Sequence, residues 1–245
     1  MTISPLLIKQ FTLDFCCDPS EVTGRKNSFH FFEPLAGRRM FFTDLDCELK
    51  IALIGGKMLF CGREDIIRKC KELYEDDGSD WFLEAPNIIK LDEMLSGFGC
   101  RIDMIHPFYV SDAPSEPDPG RFEIRLLTPE EILSFRGDDR YSEAFAFSPT
   151  APDRAAAAAT VNGEIAGIAG ASADGAYMWQ IGINVNENAR GAGLGETLVS
   201  LVRNEVVKEG KLPFYGTAFS HIASQRVALG AGFRPAWVEI TAKKK

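Results

Sequence analysis

The chain has 245 residues, 45% hydrophobic and 25% charged, with a net charge of −8, an ordinary globular balance and enough length for one large or two small cores. No apolar run approaches the roughly 20 residues that span a bilayer, and no basic segment leads into a long apolar one at the start, so a cytoplasmic protein without a membrane partner is expected. The first 120 residues carry 13 Lys and Arg against 21 Asp and Glu, and the remainder carries 14 of each; without a basic footprint, nucleic acid is not an expected partner.

In chain order, FTLDFCCD (11–18) and SFHFFEP (28–34) have strand-like character. CELKIALI and KMLFCG flank Gly55-Gly56 and read as a hairpin. Helical spacing of Ile66, Ile67, Cys70 and Leu73 predicts a helix over Arg63 to Tyr74, ended by EDDGSD. Pro86 to Leu95 reads as a short helix with Gly97 beyond its end, and Arg101 to Val110 as a strand. This succession is that of a small α/β or α+β domain, expected over 1–110. All six cysteines (Cys16, Cys17, Cys47, Cys61, Cys70 and Cys100) lie here without a C-x-x-C pair or a histidine at zinc-finger spacing. They read as buried reduced thiols, and no metal is expected. His30 and His106 read as packing residues.

SDAPSEPDPG, residues 111–120, has three prolines and no apolar run and is the expected linker. A second domain is expected over 121–245. RFEIRLL places Phe122, Ile124 and Leu126 inward on a strand, and Thr128-Pro129-Glu130-Glu131 predicts a capping box opening a helix through Phe135. Residues 137–153 read as loop or weak helix. AAAAATV, EIAGIAGAS and YMWQIGINV form a meander turned at Asn162-Gly163 and near Asp174-Gly175. A helix follows, with Leu194, Leu198, Leu201, Val202 and Val206 on one face, then LPFYGTAF as a strand, a helix from His221 to Ala231, and FRPAWVEI as a last strand.

Between YMWQIGINV and that helix lies NENARGAGLG. Gly191, Gly193 and Gly195 free the backbone for unusual conformations and close approach, and a helix start directs unpaired N–H groups and a partial positive charge at one point. Such a loop can cradle phosphate, with Arg190 pairing a second oxygen; it can also be plain punctuation between strand and helix. The dinucleotide pattern fails because Glu196 takes the third glycine position, and no P-loop Lys-Ser or Lys-Thr follows. Arg190, Gly193 and Gly195 do fit Arg-x-x-Gly-x-Gly, and SHIASQRVALGAGFRP (220–235) adds Ser224 and Gly232-Phe233 in a second motif. Over about 121–241 the chain resembles the GNAT acetyltransferase superfamily.

The resemblance implies an α/β (α+β) fold with a mixed central sheet, acetyl-CoA as acyl donor, and direct attack by a primary amine, expected to belong to a small molecule. It puts Ile183 and Val185 beside pantetheine, Arg190, Gly191, Ala192, Gly193, Leu194 and Gly195 under the pyrophosphate, and His221 and Ser224 against the coenzyme. The family's strand-four carboxylate is missing, with Gln180 and Asn184 as the polar residues there, and its usual Tyr is Ala228. His221, where Asn is usual, is the candidate acid or base or else only a coenzyme contact or helix cap; Tyr215 and Glu143 are further candidates. The segment 137–153 is expected to shape the acceptor pocket, with the first domain supplying a wall or an accessory role. A silent coenzyme-binding module and an enzyme acting on protein lysines or N-termini stay open as alternatives.

Overall fold

The computed structural model describes residues 3–39, 47–117, 120 and 122–245. Asp118 and Pro119 of the expected linker and Arg121 of RFEIRLL lie outside the described residues. The elements in chain order are α1 (Pro5–Asp14), α2 (Pro19–Thr23), β1 (Ser28–Phe31), β2 (Leu49–Ile54), β3 (Lys57–Gly62), α3 (Glu64–Tyr74), α4 (Ala85–Ser96), β4 (Cys100–Val110), β5 (Glu123–Leu126), α5 (Pro129–Leu133), β6 (Asp153–Val161), β7 (Glu164–Ser172), β8 (Met178–Val185), α6 (Leu194–Lys208), β9 (Leu212–Gly216), α7 (Ile222–Gly230) and β10 (Arg234–Lys244). They fall into two compact units, Met1–Phe108 with Ala236–Lys245, and Tyr109–Pro235. The second unit thus begins before the expected linker and ends two residues into the last strand, the rest of which completes the first unit.

The first unit orders its strands β1-β3-β2-β10-β4. Gly55 and Gly56, both at positive φ, turn β2 into β3, and every residue of the two strands is buried. β10 pairs antiparallel with β2 from Val238↔Leu53 to Ala242↔Leu49, so it is longer than FRPAWVEI implied. One core gathers Leu49, Ile51, Phe60, Ile66, Cys70, Leu91 and Ile240 under α3 and α4. FTLDFCCD is not a strand, because Phe11 to Asp14 close α1, whose inward positions Leu7, Gln10, Phe11 and Asp14 follow helical spacing. Two of those four are polar, which hid the period. They are buried because Gln10 donates to Asp14 at 2.8 Å while Asp14 pairs with the fully buried Arg39, itself 2.7 Å from Glu239. Burial alone would raise the Asp14 pKa, but Arg39 and Lys50 hold it below the usual carboxylate range.

In the second unit the order is β9-β8-β7-β6-β5. The alanine run of β6 serves both faces: Ala157 and Ala159 pack in the core with Leu194, Leu198 and Val202 of α6, while Ala156 and Ala158 pack with Ile132, Tyr141 and Phe145. Small side chains let both layers approach the sheet. The capping box of α5 is present, Thr128 Oγ1 accepting from the Glu131 N–H at 3.3 Å, but the helix stops at Leu133 rather than Phe135. Leu126 is 48% exposed, not inward, because β5 is the edge strand and Leu127 takes the buried place. Ser115 of the Pro-rich segment is fastened to α6, receiving a 2.6 Å bond from Arg203 on its hydroxyl and a 2.7 Å bond from Asn204 on its carbonyl.

Candidate coenzyme site

β8 pairs antiparallel with β7 from Gln180↔Ser172 to Val185↔Gly167. Its parallel pairing with β9 is confined to Met178↔Leu212, Trp179↔Pro213 and Gln180↔Phe214. Beyond Gln180 the two strands part, leaving the β9-facing edge of Ile181 to Val185 without a ladder partner among the described residues. Both faces of this stretch of β8 are packed: Ile181, Ile183 and Val185 rest on the α6 core, and Gly182 and Asn184 lie under the main chain of residues 143–144.

Past the fork, a short 3-10 turn at Glu187–Ala189 leads to the glycine loop. Gly191 and Gly193 have φ of +78° and +76°, with open space where a Cβ would stand, and Gly193 is the N-cap of α6. Main-chain N–H groups from Gly191 to Glu196 have no hydrogen-bond acceptor among the described residues. Six unpaired donors at a helix start, two of them set by left-handed glycines, are an arrangement able to receive an anion. Gly195 is small for a packing reason as well: a Cβ there would stand 3.0 Å from Val227 and 3.6 Å from Ile183, so its smallness lets α6 pack against α7 and β8. Leu194 is buried in the core and offers only its main chain, Ala192 is exposed, and Arg190 is hooked by Nε to the Val185 carbonyl at 3.2 Å, with Glu187 at 3.9 Å.

At the mouth of the fork, Tyr215 follows the last paired residue of β9. It is 3% exposed, and its hydroxyl lies 2.9 Å from Ser224 Oγ on α7. Burial pushes the Tyr215 pKa up, the Ser224 bond opposes this, and the charge of Glu143 adds to the rise, so the phenol stays protonated well beyond neutral pH. His221 is the exposed N-cap residue of α7, its side chain making no cap bond. The structure therefore joins Tyr215 with Ser224 and brings Glu143 within electrostatic reach, while His221 stands in solvent at the start of the same helix.

Three residues outside the expected set position the site. Asn184 Oδ1 accepts from the N–H groups of Glu143 and Ala144 at 3.1 and 2.8 Å. A Cβ on Gly182 would fall on the Glu143 carbonyl oxygen, and one on Gly170 would meet the Ala144 carbonyl and the Phe145 ring. Glycines inside strands signal close backbone approach, and both were visible in the sequence; what approached was not. The same segment continues to a concavity of about 150 Å³ lined by Ile132, Arg136, Phe147 and Asp153. There Phe147 has φ +49°, and Asp153 accepts from the Phe147 N–H at 2.9 Å through one oxygen while its other oxygen is buried without a partner. Burial raises the Asp153 pKa, backbone donors opposing.

The second unit is an α/β domain with a mixed sheet whose parallel pair splays before a glycine-rich helix start. Residues 122–233 match the family model described as Acetyltransferase (GNAT) family, and this part of the chain is a GNAT domain. Similar solved structures include a GNAT-family protein of Novosphingobium aromaticivorans, 19% identical, covering 59% of this chain and 66% of that one at a TM-score of 0.42. A GCN5-related N-acetyltransferase-like protein of Streptococcus suis is 11% identical, covering 86% and 90% at 0.48. A Salmonella typhimurium protein solved with acetyl-CoA is 17% identical, covering 50% and 93% at 0.37. The chain spans just under two thirds of the Novosphingobium protein's length. No curated protein matches it. No helix among the described residues is long and apolar enough to cross a membrane.

Proposed function

We propose that the GNAT domain transfers an acetyl group from acetyl-CoA to a primary amine of a small molecule by direct attack. The observation that supports this most is the meeting, in one place, of a free edge on β8 and the acceptor-less N–H groups of Gly191 to Glu196. A diphosphate matches the loop donors, and an amide-bearing arm matches an open strand edge, which it extends as an added strand. Acetyl-CoA supplies an activated acyl thioester. The main chain of Ile183, Val185 and Gly191 to Gly195 would hold it, with Arg190, His221 and Ser224 adding side-chain contacts.

Within this reading, the chain's own groups have separable roles. Main-chain donors on β8 orient the acyl carbonyl and favour developing negative charge on its oxygen. Tyr215, kept protonated by burial and bonded to Ser224, gives a proton toward the departing thiolate. Glu143, exposed beside the fork, favours approach of a cationic amine. His221, in solvent at the α7 start, takes the amine proton or only contacts the coenzyme.

Calorimetric titration with CoA, then thiol release from acetyl-CoA with small amines and with peptides, tests the proposal. Binding with turnover on small amines is the expected result. Turnover confined to peptides would make it a protein acetyltransferase, and binding without turnover on any acceptor would make it a silent module. Replacing Tyr215 with Phe should lower kcat with KM for acetyl-CoA retained, whereas His221→Ala should flatten one limb of the pH profile only if the imidazole carries a proton.

A further inference from the structure

The first unit holds a thiol pair that the acetyl-transfer reading does not use. Cys16 follows α1 at the position where helices commonly end with glycine: its φ is +53°, and the next N–H, that of Cys17, returns to the Thr12 carbonyl at 3.2 Å. A cysteine in this left-handed conformation is uncommon. The turn carries the half-buried Cys16 sulfur to the segment after β1, where it takes the Glu33 N–H at 3.3 Å, and to β3, where the buried Cys61 thiol lies 3.9 Å away. The charged neighbours are Arg38, which favours a thiolate, and Glu33, which opposes it. Donation from the Cys61 thiol is the largest influence, burial opposes it, and the balance holds Cys16 below the usual thiol range while Cys61 is held above it.

We propose that Cys16 is a hydroperoxide-reactive thiolate and Cys61 its resolving thiol. The Cys16 thiolate attacks the distal oxygen of the hydroperoxide; the O–O bond breaks, the leaving alkoxide takes a proton from solvent, and Cys16 becomes a sulfenic acid. Cys61 then loses its proton to solvent and attacks the Cys16 sulfur; the S–O bond breaks and hydroxide leaves, recovering that proton as water. One hydroperoxide is reduced to an alcohol and water as two thiols become one disulfide. Among the other cysteines, Cys17, Cys70 and Cys100 are buried with raised pKa values, and Cys47 donates to the Cys61 carbonyl at 3.8 Å.

The full-length protein is treated with hydrogen peroxide, alkylated, digested without reduction and mapped by mass spectrometry. A Cys16–Cys61 disulfide is expected, and in Cys61→Ser a dimedone-trapped sulfenic acid on Cys16. Without peroxide, Cys16 should be alkylated at pH 7 at least about 10-fold faster than Cys47, because only the thiolate reacts. The alkylation comparison uses the unmodified protein, so it stands even if a substitution impairs folding. Equal reactivity of Cys16 and Cys47, or oxidation that links Cys61 to Cys47 or leaves Cys61 reduced, would overturn the assignment.

Discussion

Gly193 shows what a single residue contributes to this domain. With a φ of +76° and no protein atom within 4 Å of where a Cβ would stand, the cost of substitution is chiefly conformational and falls on the loop. Gly193→Val should leave the circular dichroism spectrum intact while weakening CoA binding by about 10-fold or more, the equivalent of about 1.4 kcal/mol; unchanged affinity by calorimetry would remove the loop from the binding reading. Asp153 supports a pH prediction. Its folded-state pKa is raised, chiefly by burial, so the stability it contributes is fully present below its unfolded value and lost as pH rises through the folded one. Its ionised form therefore works against the fold at neutral pH. Asp153→Asn should gain on the wild type from pH 4 to pH 7 in denaturant titrations, and a constant difference would show that the carboxyl titrates normally.

At the scale of elements, the site depends on what lies on β8 as much as on the loop after it. Asn184, with Gln180 one of the two polar residues on the strand where the family resemblance leads one to look for a catalytic carboxylate, is engaged with Gly182 in seating residues 143–144. Gly182→Ala forces the Glu143 carbonyl to move and should destabilise the protein by about 1–3 kcal/mol. It should also raise KM for the amine more than KM for acetyl-CoA, since the displaced segment carries Glu143 and not the glycine loop. Equal effects on both would mean that the segment does not serve the acceptor side. The meander, its crossover helix and the capping box were legible because hairpin dipeptides and helical periods are local signals. α1 was misread because two of its inward positions hold Gln10 and Asp14, whose burial depends on Arg39 and Glu239, the latter 200 residues further along the chain than Arg39.

The chain as a whole divides differently from the order in which it is written. β10 supplies Ile240 to the core of the first unit, Glu239 to Arg39 and an antiparallel ladder to Leu49–Leu53 of β2. Deleting residues 236–245 should remove amide-exchange protection from β2 and β3 (49–62), since the deletion opens an edge and leaves the buried Arg39 with one carboxylate fewer. Retained protection there would show that the hairpin is stable without its C-terminal neighbour.

The sequence alone determined the two glycine motifs, the strand and helix order of the second unit and hence the GNAT resemblance, because each is written in residues that are adjacent or one helical turn apart. Tertiary structure alone decided where β8 and β9 part, which glycine faces open space and which admits a neighbouring helix, how Tyr215 meets Ser224, and that the last strand completes the first unit. These depend on distances between residues far apart in the chain, which neither periodicity nor composition records.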